Sequence, residues 1–271
     1  MAIFLFSHLC CELISIYDAL SSLMSPNTSN DFELYHTENG LVYVSNKLRI
    51  RILEELSKKS LSLTDLVEIT GKAQSTLSVH LDKMLKDGII KVEADPNDNR
   101  RKTYSISSAC LVHTKDPDPE SLEKAKELFF DIANDPKSIA KHMPSFIFVA
   151  LDSLGLSVAP IYEGLGRVHA QALTSNLVKG TIDVVIDQLR EMHSYVNLGE
   201  VTVFKFNPLT LIVKSDFRVS KGAAESFGMY ARGFFCQALE IIYKIPITVV
   251  ASEAFGAENN YYSFELDYVN K

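Results

Sequence analysis

Residues 61 to 106, LSLTDLVEITGKAQSTLSVHLDKMLKDGIIKVEADPNDNRRKTYSI, constrain the fold of this chain more than any other stretch. Leu61, Leu63, Leu66, Val67 and Ile69 put an apolar stripe on a short helix, and Gly71 supplies the tight turn that separates two helices of a helix-turn-helix. Leu77, Leu81, Met84 and Leu85 repeat at helical spacing on the next segment. That spacing leaves Gln74, Ser75, Thr76, Ser78 and His80 on faces not committed to a core. Short polar side chains at the head of such a helix can reach phosphates and base edges, the Gln amide matching adenine and the Thr methyl matching thymine. Lys83 adds a cation to the same helix, and Gly88 ends it. Ile89 to Ala94 and Lys102 to Ile106 then read as two strands around the turn-rich tip Asp95-Pro96-Asn97-Asp98-Asn99. Arg100, Arg101 and Lys102 beside that tip suit a wing that clamps a phosphate backbone. Helix, Gly turn, polar-headed helix, Gly stop, hairpin and basic wing in register predict a winged helix-turn-helix with double-stranded DNA as its partner.

Charge follows the same division. Residues 41 to 106 hold twelve Lys and Arg against nine Asp and Glu, a net of +3 in a chain of net −7, which leaves −10 for the rest. A cationic head on an acidic body binds phosphates locally without coating DNA indiscriminately, and it predicts steep salt dependence. With 271 residues, 46% hydrophobic and 23% charged, the composition is that of a soluble protein of about two domains. No segment reaches the ~20 apolar residues of a membrane span, so no membrane is expected among the partners. The opening MAIFLFSHLCCELISIYDALSSLM lacks a basic leader and carries Glu12 and Asp18 within its apolar stretch, which argues against an export signal. Four cysteines, Cys10, Cys11, Cys110 and Cys236, make neither a disulfide framework nor a CxxC motif, and a reducing cytoplasm is the natural compartment.

Phe6, Leu9, Leu13, Ile16, Leu20 and Leu23 are spaced alternately by three and four residues, which predicts a helix with a coiled-coil seam over residues 1–30. Its seam either packs on the chain's own winged helix, taken as 31–112, or forms a homodimer contact that an operator with two half-sites would reward. After the wing, His113-Thr114-Lys115-Asp116-Pro117-Asp118-Pro119-Glu120 reads as a polar linker, so 113–145 is assigned to linker and connecting helix. A second domain spans 146–271. Residues 120–134, 146–153, 156–178 and 180–195 carry helical apolar spacing. Residues 200–206 and 209–213 follow as strands about the turn Asn207-Pro208, then a helix over about 222–242 and strands over 245–252 and 261–269. Helices packed on one antiparallel sheet give an α+β fold.

Two resemblances sharpen these expectations. Ser75-Thr76-Leu77-Ser78-Val79-His80-Leu81-Asp82-Lys83-Met84-Leu85 resembles the S-T-x-S-x-H-L-x-x-L pattern of arsenic-repressor-type (ArsR-like) winged helices, which implies that residues 73–85 form the DNA-facing helix. His80 then either faces DNA or packs against the wing. Residues 145–269 resemble the 4-vinyl-reductase domain family, a small-molecule-binding fold. The residues that carry this are Leu154-Gly155-Leu156, Gly164-Leu165-Gly166-Arg167, Gly199-Glu200-Val201-Thr202-Val203, Tyr230-Ala231-Arg232-Gly233-Phe234 and Ser263-Phe264-Glu265-Leu266. Many members of that family place a Glu and two Cys around the last hairpin as a zinc or redox site. Here Ala251, Ala254 and Tyr262 stand at those positions, and Ala and Tyr cannot supply zinc ligands, so no metal and no cofactor is expected.

An ArsR-like head joined to such a domain is the layout of certain archaeal regulators, including redox-sensing ones from methanogens. The resemblance implies a homodimeric transcriptional regulator whose C-terminal domain senses a small hydrophobic ligand. Phe148, Tyr162, His169, Phe204, Phe206, Tyr230 and Phe234, with Phe146 and Phe235 nearby, either line the ligand cavity or form plain core. A thiol-based redox regulator is the alternative, with Cys110 and Cys236 as its candidates, although no basic neighbour in sequence marks either as reactive and Cys236 also reads as a small buried hydrophobe. A reductase-type enzyme is the third reading. No convergent acid, base or cofactor motif supports it, so no catalytic residue is assigned.

Overall fold

The computed structural model describes residues 31–95, 98–119, 123, 126, 127, 130, 135–173, 180–215, 221–255 and 260–267. The N-terminal seam helix, the expected helix over 120–134 apart from single residues, and the tip residues Pro96 and Asn97 lie outside these, as do the side chains of Arg100 and Arg101. Residues 32–271 form one unit.

It opens with a hairpin that the sequence reading did not anticipate. Strand β1 (Glu33–Thr37) pairs antiparallel with β2 (Gly40–Val44), and the turn requires Gly40 because its φ of 105° lies where a side chain is strained. Helix α1 (Lys47–Lys58) follows, capped by the Asn46 side chain, whose Oδ1 accepts from the amides of Leu48 and Arg49 at 3.1 Å each. Ile52, Leu53 and Leu56 on one face of α1 enter the head core with Leu66, Leu77, Leu81 and Met84. Short strand β3 (Leu61–Ser62) leads into α2 (Leu63–Thr70), and Gly71 at φ 67° makes the turn to α3 (Gln74–Lys86). Strands β4 (Ile90–Asp95) and β5 (Asp98–Ile106) form the wing. β5 also pairs with β3, which locks the wing to the start of the helix-turn-helix.

Strand β6 (Ala109–Thr114) returns to pair with β1. It carries two residues into the stretch expected as linker, and there it pairs with β7 (Leu156–Ser157), His113 opposite Ser157 and Thr114 opposite Leu156. The sheet of the head thus takes its last strand from the C-terminal half. Backbone bonds extend the joint, Lys115 N–H donating to Gly155 O and Asp118 N–H to Ser153 O, both at 2.9 Å. The Lys115 ammonium is ion-paired with the buried carboxylate of Asp152.

Helix α4 (Pro136–Ser153) starts ten residues before the helix expected at 146, at an Asp135 cap that accepts from Lys137 and Ser138 amides with Pro136 at the first helical position. Pro144 sits within it. The helix expected over 156–178 is instead β7 followed by α5 (Ala159–Leu173), and α6 (Ile182–Ser194) comes next. Strands β8 (Glu200–Phe206) and β9 (Leu209–Lys214), helix α7 (Lys221–Tyr243), and strands β10 (Thr248–Phe255) and β11 (Tyr261–Asp267) complete the chain, with β10 starting three residues later than expected. The sheet order is β10-β11-β9-β8, all antiparallel, so the α+β arrangement holds.

One face of that sheet, Leu209, Leu211, Val213, Tyr262, Phe264 and Leu266, is buried under α7. α7 is apolar nearly all round because α5 covers it from the other side. The two helices touch backbone to backbone. A Cβ on Gly166 would stand 2.1 Å from Tyr230 O, and one on Gly233 would stand 2.1 Å from Glu163 O. Across the same crossing Arg232 Nη2 donates to Glu163 Oε2 at 2.7 Å.

Candidate nucleic-acid interface and C-terminal cavities

The head presents α3 to solvent with its first turn open. Ser62 and Asp65 cap α2 reciprocally, whereas α3 begins at Ala73 with no side-chain cap and no acidic residue in its first turn. Uncapped amides with a positive helix end favour an anion, which is what a phosphate backbone offers. Gln74, Ser75 and Thr76 are exposed on that turn and Ser78 is half-buried. His80 leans neither on DNA-side solvent alone nor on the wing. Arg49 Nε of α1 donates to its Nδ1 at 3.3 Å, which leaves the proton on Nε2. Burial, and after it the Arg49 charge, lower the His80 pKa, so the ring is a neutral N–H donor beside a guanidinium. Lys83 is ion-paired with Asp87 at 2.8 Å on its own helix. Lys102 is exposed on β5, opposite Ala94 of β4.

Two residues that sequence reasoning passed over belong to this surface. Arg49 is one, since its role depends on α1 packing beside α3, a long-range contact. Val79 is the other, at 68% exposure in the middle of α3. Its signal was available: the helical spacing that buries Leu77, Leu81 and Met84 turns position 79 outward.

The seven aromatic and His residues expected either to line a ligand cavity or to form plain core do not converge on one space. Phe148 and Tyr162 do meet, stacked with ring centroids 3.4 Å apart, at the floor of a groove of about 630 Å³ between α4 and α5. Its walls are Ile139, Ala140, Met143, Pro144, Ile147 and Leu165, with Ile147 44% and Leu165 50% exposed. Tyr230 of α7 belongs to the same buried cluster as Phe148 and Tyr162 and shares a hydrogen bond of 2.8 Å between its Oη and His169 Nδ1, while Phe234 lies in the core between α5, α6 and α7. Phe235 is buried there too, and Phe146 is half-buried beside Phe148.

Phe204 and Phe206 line no interior, which corrects the expectation. Val201 and Val203 pair with the buried Val213 and Leu211, a register irregularity follows at 204, and β8 is an edge strand. Phe204 is accordingly 72% exposed and Phe206, at the strand end, 42%.

The core of the C-terminal half contains one group that sequence reasoning did not single out. His193 of α6 is fully buried among Tyr230, Phe234 and Phe235, and neither ring nitrogen has a hydrogen-bond partner. Burial, with a smaller contribution from His169, pushes its pKa down to about 4 from 6.5. The folded state therefore holds His193 neutral and resists its protonation. Its contribution to stability is complete above pH 6.5 and is lost as pH falls through 6.5 towards 4, on the order of 3 kcal/mol in all. His193→Leu, which fits an apolar site and removes both unsatisfied nitrogens, is expected to flatten that acid limb in urea unfolding measured from pH 7 to 4. An unchanged limb would place the acid sensitivity elsewhere.

Both candidate thiols are held protonated. Burial, then the charge of Glu33, raises Cys110 to about 11, and its Sγ donates to Val112 O. Burial raises Cys236 to about 12. Among the described residues no three His, Cys, Asp or Glu side chains converge as a metal site. The positions given to thiolates in the 4-vinyl-reductase resemblance are direct cross-strand partners, Ala254 opposite Tyr262. The Tyr262 ring fills the space between them and α7, lying where a Cβ on Gly228 would stand. A further cleft, about 740 Å³ in the head, is lined by Glu33, Tyr35, Cys110 and the last turn of α1, among others.

The geometry of the head is that of a winged helix-turn-helix. Residues 46–92, from the cap of α1 into β4, match the family model described as bacterial regulatory protein, arsR family. The chain therefore carries an ArsR-family DNA-binding head, which makes it a DNA-binding transcriptional regulator. Neither a curated protein sequence nor a solved structure matches the chain. Among the described residues no helix is long and apolar enough to cross a membrane.

Proposed function

We propose that this chain is a homodimeric regulator whose C-terminal part, from α4 onward, takes a small apolar ligand in the α4–α5 groove and passes its occupancy to the head. The observation that carries this reading is the dual use of α4. Phe148 forms the groove floor, and Asp152, one helical turn further on, is ion-paired with Lys115 where β7 joins β6. A ligand that displaces Phe148 moves the same rigid helix that anchors the head. It changes DNA affinity only to the extent that it favours one placement of that helix over another. The resemblance of residues 145–269 to a small-molecule-binding family supports this assignment, and an operator with two half-sites would reward a dimer. The raised thiol pKa values do not favour the redox alternative, because the thiolate is the reactive form.

The apolar probe 8-anilinonaphthalene-1-sulfonate tests the groove. We expect saturable fluorescence enhancement with the parent and a loss of at least most of it in Leu165→Glu, which puts a charge on the exposed groove wall. Basal DNA affinity should be unchanged in that variant. Equal probe binding by parent and variant would remove the groove from the account.

A further inference from the structure

We infer that Val79 reads the C5-methyl group of a thymine in the major groove, and that the outward line of α3, rather than its first turn alone, sets sequence preference. The inference rests on the DNA-binding role of the head and extends it to a base contact. A helix advances about 100° per residue. With Leu77, Leu81 and Met84 buried, Ser75, Val79, Asp82 and Lys86 fall within about 50° of the direction pointing away from the head core. All four are exposed. The flank towards α1 holds Thr76, His80 and Lys83, whose hydroxyl, ring N–H and ammonium suit phosphates, with Arg49 behind them.

The outward line has a different chemistry at its centre. Val79 is apolar and Asp82 is anionic, and neither is suited to a phosphate. A carboxylate there repels the backbone, so this meridian must face base edges when α3 lies in the groove. The only apolar group that base pairs display in the major groove is the thymine methyl, and a branched aliphatic side chain 68% exposed to water is its complement. Asp82, three residues on, can accept from the exocyclic amine of a neighbouring cytosine.

Uracil substitution tests this directly, because uracil retains every hydrogen-bonding group of thymine and lacks only the methyl. Sites are first selected from a random duplex pool with the full chain, and each thymine of the selected site is then replaced singly by uracil. The expected result is a thymine in each half-site at which uracil weakens the parent about three- to fivefold, the effect of one buried methyl. Val79→Ala should bind the thymine and uracil duplexes alike, with the weaker affinity, whereas Val79→Ile should keep the preference for thymine. A site at which no uracil matters, or a uracil effect that persists in Val79→Ala, overturns the assignment. Failure of the parent to select any sequence would instead refute the DNA-binding reading on which it rests.

Discussion

Replacing Arg100, Arg101 and Lys102 together with Ala is expected to weaken binding to every duplex, selected or random, and to flatten its salt dependence. Each cation lost from a phosphate contact removes about 0.9 from the slope of log affinity against log salt, so three lost contacts lower it by about 2.7. At 0.1 M salt, taking 1 M as the reference, the same arithmetic gives a loss of about five hundredfold. The ratio of specific to random affinity should barely move, because phosphate contacts carry no sequence information. β5, which bears these residues, is fixed by pairing to both β4 and β3, so the head should fold without them. Anisotropy titrations at several salt concentrations decide the matter, and an unchanged slope would mean that the wing does not touch DNA.

The largest effect on stability is expected at the crossing of α5 and α7. Ala is the better helix former, and Gly166→Ala or Gly233→Ala would gain about 1 kcal/mol on that ground alone. Packing outweighs it. Each new methyl would meet a main-chain carbonyl of the opposing helix at 2.1 Å, and a carbonyl held in a helix cannot rotate aside. The helices must separate along an interface that also holds the Arg232–Glu163 pair, at a cost of about 3 kcal/mol or more. Thermal or urea unfolding should show a large loss for either variant, and the matching substitution at Gly164, whose Cβ position is open, should show none. Equal stability of all three would deny the close crossing.

The parts of the fold that were legible in the sequence are those set by local signals. Leu77, Leu81 and Met84 announce α3, and Gly71 and Gly88 bracket it. Two further local signals were present and passed over. Asn39-Gly40 between short β-branched and aromatic runs marks the β1–β2 hairpin, and Asp135-Pro136 marks the start of α4.

Other features had no local signal. Alternation along β8 says that Val203 and Phe204 face opposite ways, but which way is inward depends on α7 covering one side of the sheet. Phe204 in fact stands in solvent, lining neither a cavity nor a core. Phe148 of α4, Tyr162 of α5 and Tyr230 of α7 share one cluster because the three helices converge there, whereas Phe234, equally aromatic in sequence, lies in the core under the sheet. The joint between β6 and β7 is of the same kind, since nothing in His113-Thr114 announces a strand partner more than forty residues away. His193 stands in a helix as an ordinary polar residue until the fold encloses it.

The central claim is that the ArsR-type head recognises particular DNA. Its most direct measurement is the affinity of the full chain for a duplex selected from a random pool against that for a scrambled duplex of the same length, at one stated salt concentration, with stoichiometry read from the same titration. The account predicts binding at least about a thousandfold tighter to the selected duplex, with two chains per duplex. Equal affinity for the two duplexes, or no binding to either, would contradict it.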